Sequence, residues 1–126
     1  MLAPVDPLEV LSRFILQKKW YKPSDNSVKY AAFMPNKNNQ TSVFRTSGIS
    51  NNVIWDIGDH EVSAKLCKPI LGRADVHASS VTEKDLEVIP SEPPERHADI
   101  TGWPEEASIK RVIAIELAAE ARFYKK

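Results

Sequence analysis

The run PEEASIKRVIAIELAAEARFY, residues 104–124, decides the fold class that we predict from this sequence. Pro104 suits the first turn of a helix, and Glu105 and Glu106 lie where the positive end of the helix dipole would be. Apolar residues at helical spacing would form the buried face: Ile109, Val112, Ile113 and Leu117. Small residues that would allow close packing on a sheet are Ala114, Ala118 and Ala121. We expect one helix over 104–124.

Upstream of this helix, short apolar segments separated by turn residues are typical of strands. The predicted strands are 28–34, 41–47, 62–66, 73–78, 86–89 and 97–101. The polar run 35–40 joins the first two, which predicts a hairpin. No internal repeat is visible. We therefore expect an α+β fold, with a small, mainly antiparallel sheet of four to six strands and the C-terminal helix packed across one face.

Capping patterns indicate two further helices. Asp6-Pro7-Leu8-Glu9 has the pattern of a helix start, which predicts a helix over 7–17, although 13–16 fits a strand equally well. Ser50 can cap a helix over 51–57, and Gly58 would end that helix in the left-handed conformation.

Length and composition favour one globular domain over residues 1–126. The chain is 42% hydrophobic and has 17 basic and 17 acidic side chains, so its formal net charge is zero. The charges are segregated, because residues 10–55 hold seven bases and one acid whereas residues 56–106 hold five bases and twelve acids. Neutrality disfavours a protein that coats nucleic acid, but the segregation suits an anionic ligand or a complementary protein surface.

Cysteine content and hydropathy suggest a location. Cys67 is the only cysteine, which excludes an intrachain disulfide and a multi-cysteine zinc site and is typical of a reducing compartment. The N-terminus lacks the pattern of a secretory signal, and no apolar run has the roughly 18–20 residues that cross a bilayer. We expect a cytoplasmic protein without a membrane span. Phosphate-loop, hydrolase and zinc motifs are missing, so the sequence identifies no cofactor.

Three strand-like segments carry polar residues at period-two spacing, which places them on one face of each strand. They are Arg45 with Ser47, then Arg73, Asp75 and His77, and finally His97 and Asp99 with Arg96 at the adjoining corner. Guanidinium groups beside a hydroxyl and an imidazole match a phosphate group. The predicted ligand-binding residues are Arg45, Ser47, Arg73, Arg96 and Trp103. His77 and His97 are the candidate general acids or bases, if the protein is an enzyme.

The same residues permit other interpretations. Two histidines and a carboxylate on adjacent strands could hold a non-haem metal, but the nearby arginines oppose a cation and we predict no metal site. Ion pairs of Asp75 and Asp99 with the arginines would instead be structural. Trp103 could stack on a base or pack into the core ahead of the last helix.

The leading functional expectation is a small protein that binds a phosphate-bearing ligand, namely a nucleotide, a nucleotide-derived signal or RNA. Basic and aromatic residues also interleave over 13–22, which is the composition of a single-stranded nucleic-acid platform or of a partner-binding patch. The alternative is a non-enzymatic adaptor or accessory subunit that acts through a protein–protein interface with a partner or a second copy.

Overall fold

The computed structural model describes residues 2–126 and has the predicted α+β fold. Six strands form one antiparallel sheet: β1 (Val10–Ile15), β4 (Thr41–Arg45), β5 (Gly72–His77), β6 (Glu87–Pro90), β7 (His97–Thr101) and β8 (Arg122–Lys125). Two more, β2 (Tyr21–Lys22) and β3 (Ser27–Val28), form a separate two-stranded sheet. In the large sheet the order is β6-β7-β4-β1-β5-β8.

β1 lies inside the sheet, between β4 and β5, so the helix predicted over 7–17 is wrong and the strand alternative at 13–16 is the one that forms. The capping pattern does form, because the Leu8 N–H donates to the Asp6 carboxylate and the Asp6 N–H donates to Glu9. It spans only one turn. From Val10 onward the chain pairs on both sides with strands distant in sequence, and this long-range pairing overrides the local helix signal.

The last helix, α4 (Ala107–Glu120), packs across one face of the sheet, which we call the α4 face. The strand residues buried on this face are Leu11, Ile15, Val43, Ala74, Val76, Ala98 and Ile100. Ala114, Leu117 and Ala118 contact them from the helix, whereas Ile109 and Val112, which we expected in the core, are exposed. Two of these three helix residues are alanines, whose small side chains let the helix backbone lie close to the sheet.

The predicted helix 104–124 is too long at both ends. α4 begins at Ala107 and ends at Glu120, and residues 122–125 form the edge strand β8, which pairs antiparallel with β5. Phe123 packs on the α4 face, and its ring stacks on Tyr21 with the centroids 4.7 Å apart. A two-residue alternation of inward and outward side chains therefore replaces the helical period after Ala121.

The opposite side, which we call the cleft face, is covered by one continuous helical segment. It consists of α1 (Asn51–Ile57), a π-helix (Gly58–Ser63) and α2 (Ala64–Leu66), so the strand predicted over 62–66 is wrong. α1 is confirmed, with the Ser50 hydroxyl accepting from the Val53 N–H at 3.3 Å. Gly58 does not end the helix in the left-handed region. Its φ is −58°, and a Cβ there would lie 2.7 Å from the Phe14 ring.

The cleft face is more polar than the α4 face. Its strand side chains are Ser12, Phe14, Ser42, Phe44, Arg73, Asp75, His97 and Asp99. Only a small apolar cluster forms here, from Phe14, Phe44, Ile54 and Ile70.

Predictions for the remaining strands have mixed outcomes. Those over 41–47, 73–78, 86–89 and 97–101 are confirmed as β4, β5, β6 and β7. The 28–34 hairpin strand is wrong, because β3 gives way to a 3₁₀ turn at Tyr30–Ala32 and β4 pairs with β1 and β7. A short helix, α3 (Ala78–Thr82), follows β5. Between residues 2 and 126, none of the helices has the combined length and hydrophobicity of a membrane span.

Candidate functional site

The structure separates the predicted site residues into several places. Arg45, Ser47 and Arg96 come together around a cleft of about 330 Å³ at one end of β4. Three glutamates, Glu9, Glu92 and Glu95, line the same cleft. The acids outnumber the bases, so this cleft does not offer the excess of positive charge that a phosphate requires.

Arg45 makes four hydrogen bonds to protein groups, from the five N–H donors of its guanidinium. Its guanidinium forms two bonds to the Glu9 carboxylate, at 2.8 and 2.9 Å, and donates to the main-chain carbonyls of Ala3 and Pro4. The bond from Arg45 lowers the pKa of Glu9, and the same bond raises the pKa of Arg45. The Ser47 hydroxyl accepts from the Val10 N–H at 2.6 Å. These contacts tie the segment before β1 to the end of β4.

Arg73 is buried under α1, with 3% of its surface exposed. It bonds the Asp75 carboxylate at 3.2 Å and the Asn51 side chain at 2.8 Å. Its guanidinium carbon lies 4.7 Å from the centroid of Trp55 and 4.5 Å from that of Tyr124, between the two rings. Arg73 therefore holds the helical cover on the sheet and is not accessible to a ligand, as in the structural interpretation of its ion pair with Asp75.

The other predicted residues lie apart from one another. His77 is exposed at the end of β5, and Trp103 is buried, with its indole N–H donating to the Ile100 carbonyl. Because β4 and β1 lie between β7 and β5, His97 and His77 are on strands separated by about 14 Å, at roughly 4.8 Å per strand. Across residues 2–126 no group of three or more His, Cys, Asp or Glu is placed to hold a metal ion.

A larger cleft, of about 440 Å³, opens on the cleft face. It exists because β1 and β4 pair only at Leu11–Arg45 and Ser12–Phe44 and then diverge. The walls are built from β1 and β4 and from the π-helix and α2. The lining residues are Arg13, Phe14, Leu16, Gln17, Trp20, Ser42, Phe44, Glu61, Val62, Lys65, Leu66, Lys68, Pro94 and His97.

Ser42 and His97 form a hydrogen-bonded pair in this cleft. Ser42 lies opposite Asp99 and Phe44 opposite His97 in the β4–β7 ladder, so the two side chains are diagonal neighbours on one face. The Ser42 Oγ to His97 Nε2 distance is 2.6 Å, and His97 Nδ1 lies 3.0 Å from the Ser91 carbonyl oxygen. A carbonyl can only accept, so Nδ1 carries the proton, and the Ser42 hydroxyl donates to Nε2.

Arg13 fills the gap between the diverging strands. Its Nη1 donates to the Ser42 carbonyl at 3.0 Å, and its Nε donates to the Ala32 carbonyl at 2.8 Å. The guanidinium lies 5.1 Å from the centroid of Trp20, and burial lowers the pKa of Arg13 to about 10. Arg13 therefore remains a cation at neutral pH and replaces ladder hydrogen bonds that the separated strands cannot make.

No known protein family, curated protein or solved structure matches this chain. The geometry of its own residues therefore defines the candidate site.

His97 is the only residue from the predicted set that lines the 440 Å³ cleft. Ser42 could have been found from the sequence, because period-two spacing places it on the same face of β4 as Phe44. The pairing of β4 with β7 could not be found, because residues 46–96 separate the two strands and no local pattern specifies the partner strand. Arg13 belongs to the basic and aromatic run 13–22, of which Trp20 also contributes to the cleft.

Proposed function

We propose that the protein binds a small phosphate-bearing ligand with an aromatic body, such as a nucleotide, in the 440 Å³ cleft. The observation that supports this is the combination of an excess of cations with aromatic walls. Arg13, Lys65 and Lys68 face one carboxylate, Glu61, while the rings of Phe14, Phe44 and Trp20 supply apolar surface. The proposal keeps the ligand class predicted from the sequence but moves its site from the Arg45 region to this cleft.

Charge distinguishes this cleft from the two smaller ones. The 350 Å³ cleft is lined by Asp56, Glu61 and Glu95 against Arg96, with His60 beside them. The 330 Å³ cleft at Arg45 likewise has more acids than bases. An anion is therefore attracted to the 440 Å³ cleft and repelled from the others.

The positive side chains differ in how strongly they are engaged. Lys65 is bonded to Glu61 at 2.8 Å on neighbouring turns of the helical cover. Lys68, an exposed residue, follows that cover at the rim of the cleft. The volume lies within the range of small-molecule sites, which is about 300–1,000 Å³. We assign the phosphate to the Lys68 rim and the aromatic body to the ring-lined wall.

Calorimetric titration with adenosine monophosphate tests the proposal, with adenosine and inorganic phosphate as separate arms. The monophosphate should bind more tightly than either fragment, and Lys68→Glu should weaken it about tenfold, which corresponds to roughly 1.4 kcal/mol. Lys37→Glu, a charge reversal in the exposed 35–40 loop, is the matched control and should leave the affinity unchanged. Failure of the monophosphate to bind, or equal loss in both variants, would reject this site. A titration with a short RNA tests whether the phosphate-bearing ligand is a nucleic acid.

A second candidate function is the adaptor predicted from the charge segregation. It is favoured by one surface, because Ile109, Val112 and Ile115 form an exposed apolar stripe along α4. Exposed apolar stripes of this kind are typical of protein–protein contacts. Purification from the native host decides between the two, since an adaptor would elute with a stoichiometric protein partner. Both candidates include a cytoplasmic location, which the single cysteine of the chain supports.

A further inference from the structure

We infer that Ser42 is a nucleophile and His97 its general base, so that the cleft hydrolyses carboxylic esters. This goes beyond the proposed function, since it assigns to the same cleft a reaction that needs no phosphate-bearing ligand. The observation is the Ser42–His97–Ser91 relay on a wall of that cleft, with a hydroxyl, an imidazole and an orienting carbonyl in sequence. A nucleophile and base within hydrogen-bond reach, with the base oriented by a third group, is the arrangement that activates serine.

The direction of the hydrogen bonds supports this assignment. Because the Ser91 carbonyl fixes the proton on Nδ1, the Nε2 lone pair faces the Ser42 hydroxyl at 2.6 Å. The ring is also held by Phe44, whose centroid lies 5.2 Å from that of His97 in an edge arrangement. Asp99 places a carboxylate oxygen 3.8 Å from Nε2, where it would stabilise the imidazolium formed during the reaction.

The reaction balances without a metal or another cofactor. Ser42 Oγ attacks the ester carbonyl carbon while its proton passes to His97 Nε2, and the C–O bond to the alcohol then breaks as the alcohol takes that proton. Water attacks the resulting acyl-serine, and His97 accepts a proton from the water. The bond to Ser42 Oγ breaks, the proton returns to Oγ, and the carboxylic acid leaves.

Arg13 supplies positive charge close to this centre. It lines the same cleft and donates to the main-chain carbonyl of Ser42, so a fixed cation lies beside the backbone of the attacking residue and can attract the developing oxyanion. Positive groups already fixed in place are the strongest means of stabilising such an anion. The aromatic walls favour esters with an aryl or other apolar part.

Labelling with a fluorophosphonate probe, followed by peptide mass spectrometry, tests whether Ser42 is nucleophilic. The wild-type protein should be labelled at Ser42 and should hydrolyse 4-nitrophenyl acetate. Ser42→Ala and His97→Gln should each lower the hydrolysis rate by at least about a hundredfold. Ser80→Ala and His60→Gln are matched controls outside the cleft and should retain the wild-type rate. Labelling at other serines, or hydrolysis that survives Ser42→Ala, overturns the inference.

A cysteine variant gives a readout that does not depend on hydrolysis. In Ser42→Cys, His97 should take the thiol proton, so residue 42 should react with iodoacetamide about tenfold faster at pH 7 than the exposed Cys67 of the same chain. The double variant Ser42→Cys/His97→Gln should lose this difference. Equal reactivity of the two thiols in Ser42→Cys overturns the inference. Because neither assay uses a phosphate ligand, failed nucleotide binding with positive Ser42 labelling would reject the phosphate proposal alone.

Discussion

Helices cover both faces of the sheet, but the strand side chains beneath them are apolar on the α4 face and largely polar on the cleft face. On the α4 face, apolar strand residues meet one long helix and form a closed core. On the cleft face, a broken helical segment covers ion pairs and hydrogen bonds beneath α1 and leaves an open volume beyond them. The α4 face is therefore closed by apolar packing, whereas the cleft face combines a buried polar cluster with polar side chains that line an open cleft.

The largest expected effect comes from breaking the buried polar cluster of the cleft face. Asp75→Ala removes the carboxylate that bonds Arg73 and accepts from the Ser12 hydroxyl at 2.6 Å. The guanidinium is then left buried without its charge partner, which should cost about 3–5 kcal/mol in the free energy of unfolding. Urea denaturation measures the loss. Asp56→Ala on the exposed side of α1 is the control and should change stability by less than about 0.5 kcal/mol.

A cost below about 1 kcal/mol for Asp75→Ala would mean that Arg73 reaches water in the variant. The contrast between a sealed polar cluster and an open cleft on the same face would then disappear.

The next effect tests the closed core of the α4 face. Leu117→Ala deletes a fully buried side chain, and we expect a loss of about 3 kcal/mol from lost burial and the cavity that remains. Ile115→Ala, on the exposed side of the same helix, should cost less than about 1 kcal/mol. Thermal unfolding of both variants measures the two losses of stability, so a buried and an exposed position are compared within one helix. Similar losses for the two would show that the exposed stripe is covered, as an adaptor interface would require.

A smaller effect concerns the paired end of β1 and β4, opposite the end that opens into the cleft. Glu9→Gln should cost about 1 kcal/mol at neutral pH, because the two-bond contact with Arg45 loses its charge. Folding lowers the pKa of Glu9 from its usual value of 4.5. The ionised carboxylate therefore stabilises the folded protein fully at pH values above 4.5. That contribution disappears as the pH falls through the lower folded pKa.

Urea midpoints measured from pH 7 down to pH 3 check this sign, because the difference between the wild type and Glu9→Gln should shrink with acid. A constant difference would assign the loss to packing and not to charge.

The smallest effect concerns the first turn of the helical cover. Ser50→Ala removes the cap on α1, and the 3.3 Å bond predicts a cost near 0.5 kcal/mol, at the low end for helix caps. Amide hydrogen exchange should show faster exchange of the first turn of α1 and no change in α4. Equal acceleration in both helices would mean that the two faces unfold as one unit.

Local sequence patterns predicted individual elements on both faces of the sheet but not how those elements pair. The helical period of 104–124 located α4, and two-residue alternation located β4, β5 and β7. The period could not distinguish α4 from the strand β8 that follows it, since Arg122 to Lys125 form a strand only by pairing with β5. The capping pattern at Asp6 is real but local, so it could not show that β1 would lie between two strands from later in the chain.

The candidate site could not be predicted from residue spacing within single strands, because it depends on which strands pair and in which register. Period-two spacing correctly placed Arg73 with Asp75, and His97 with Asp99, each on one face of its strand. It could not indicate that Arg73 would be sandwiched between Trp55 and Tyr124, or that Arg45 would be held by Glu9. Nor could it join Ser42 to His97, because that contact needs the register of β4 against β7.

The position of β1 inside the sheet has a consequence for how this protein acquires its structure during synthesis. The strand is synthesised before both of its neighbours in the sheet, β4 and β5, and the Ser12 hydroxyl of β1 bonds the Asp75 carboxylate of β5, 63 residues further along the chain. β1 therefore stays unpaired until β4 has emerged, and its other edge stays open until β5 has emerged. Such distant contacts slow folding relative to helical domains of similar length, and they leave an apolar strand open to chaperones during that interval.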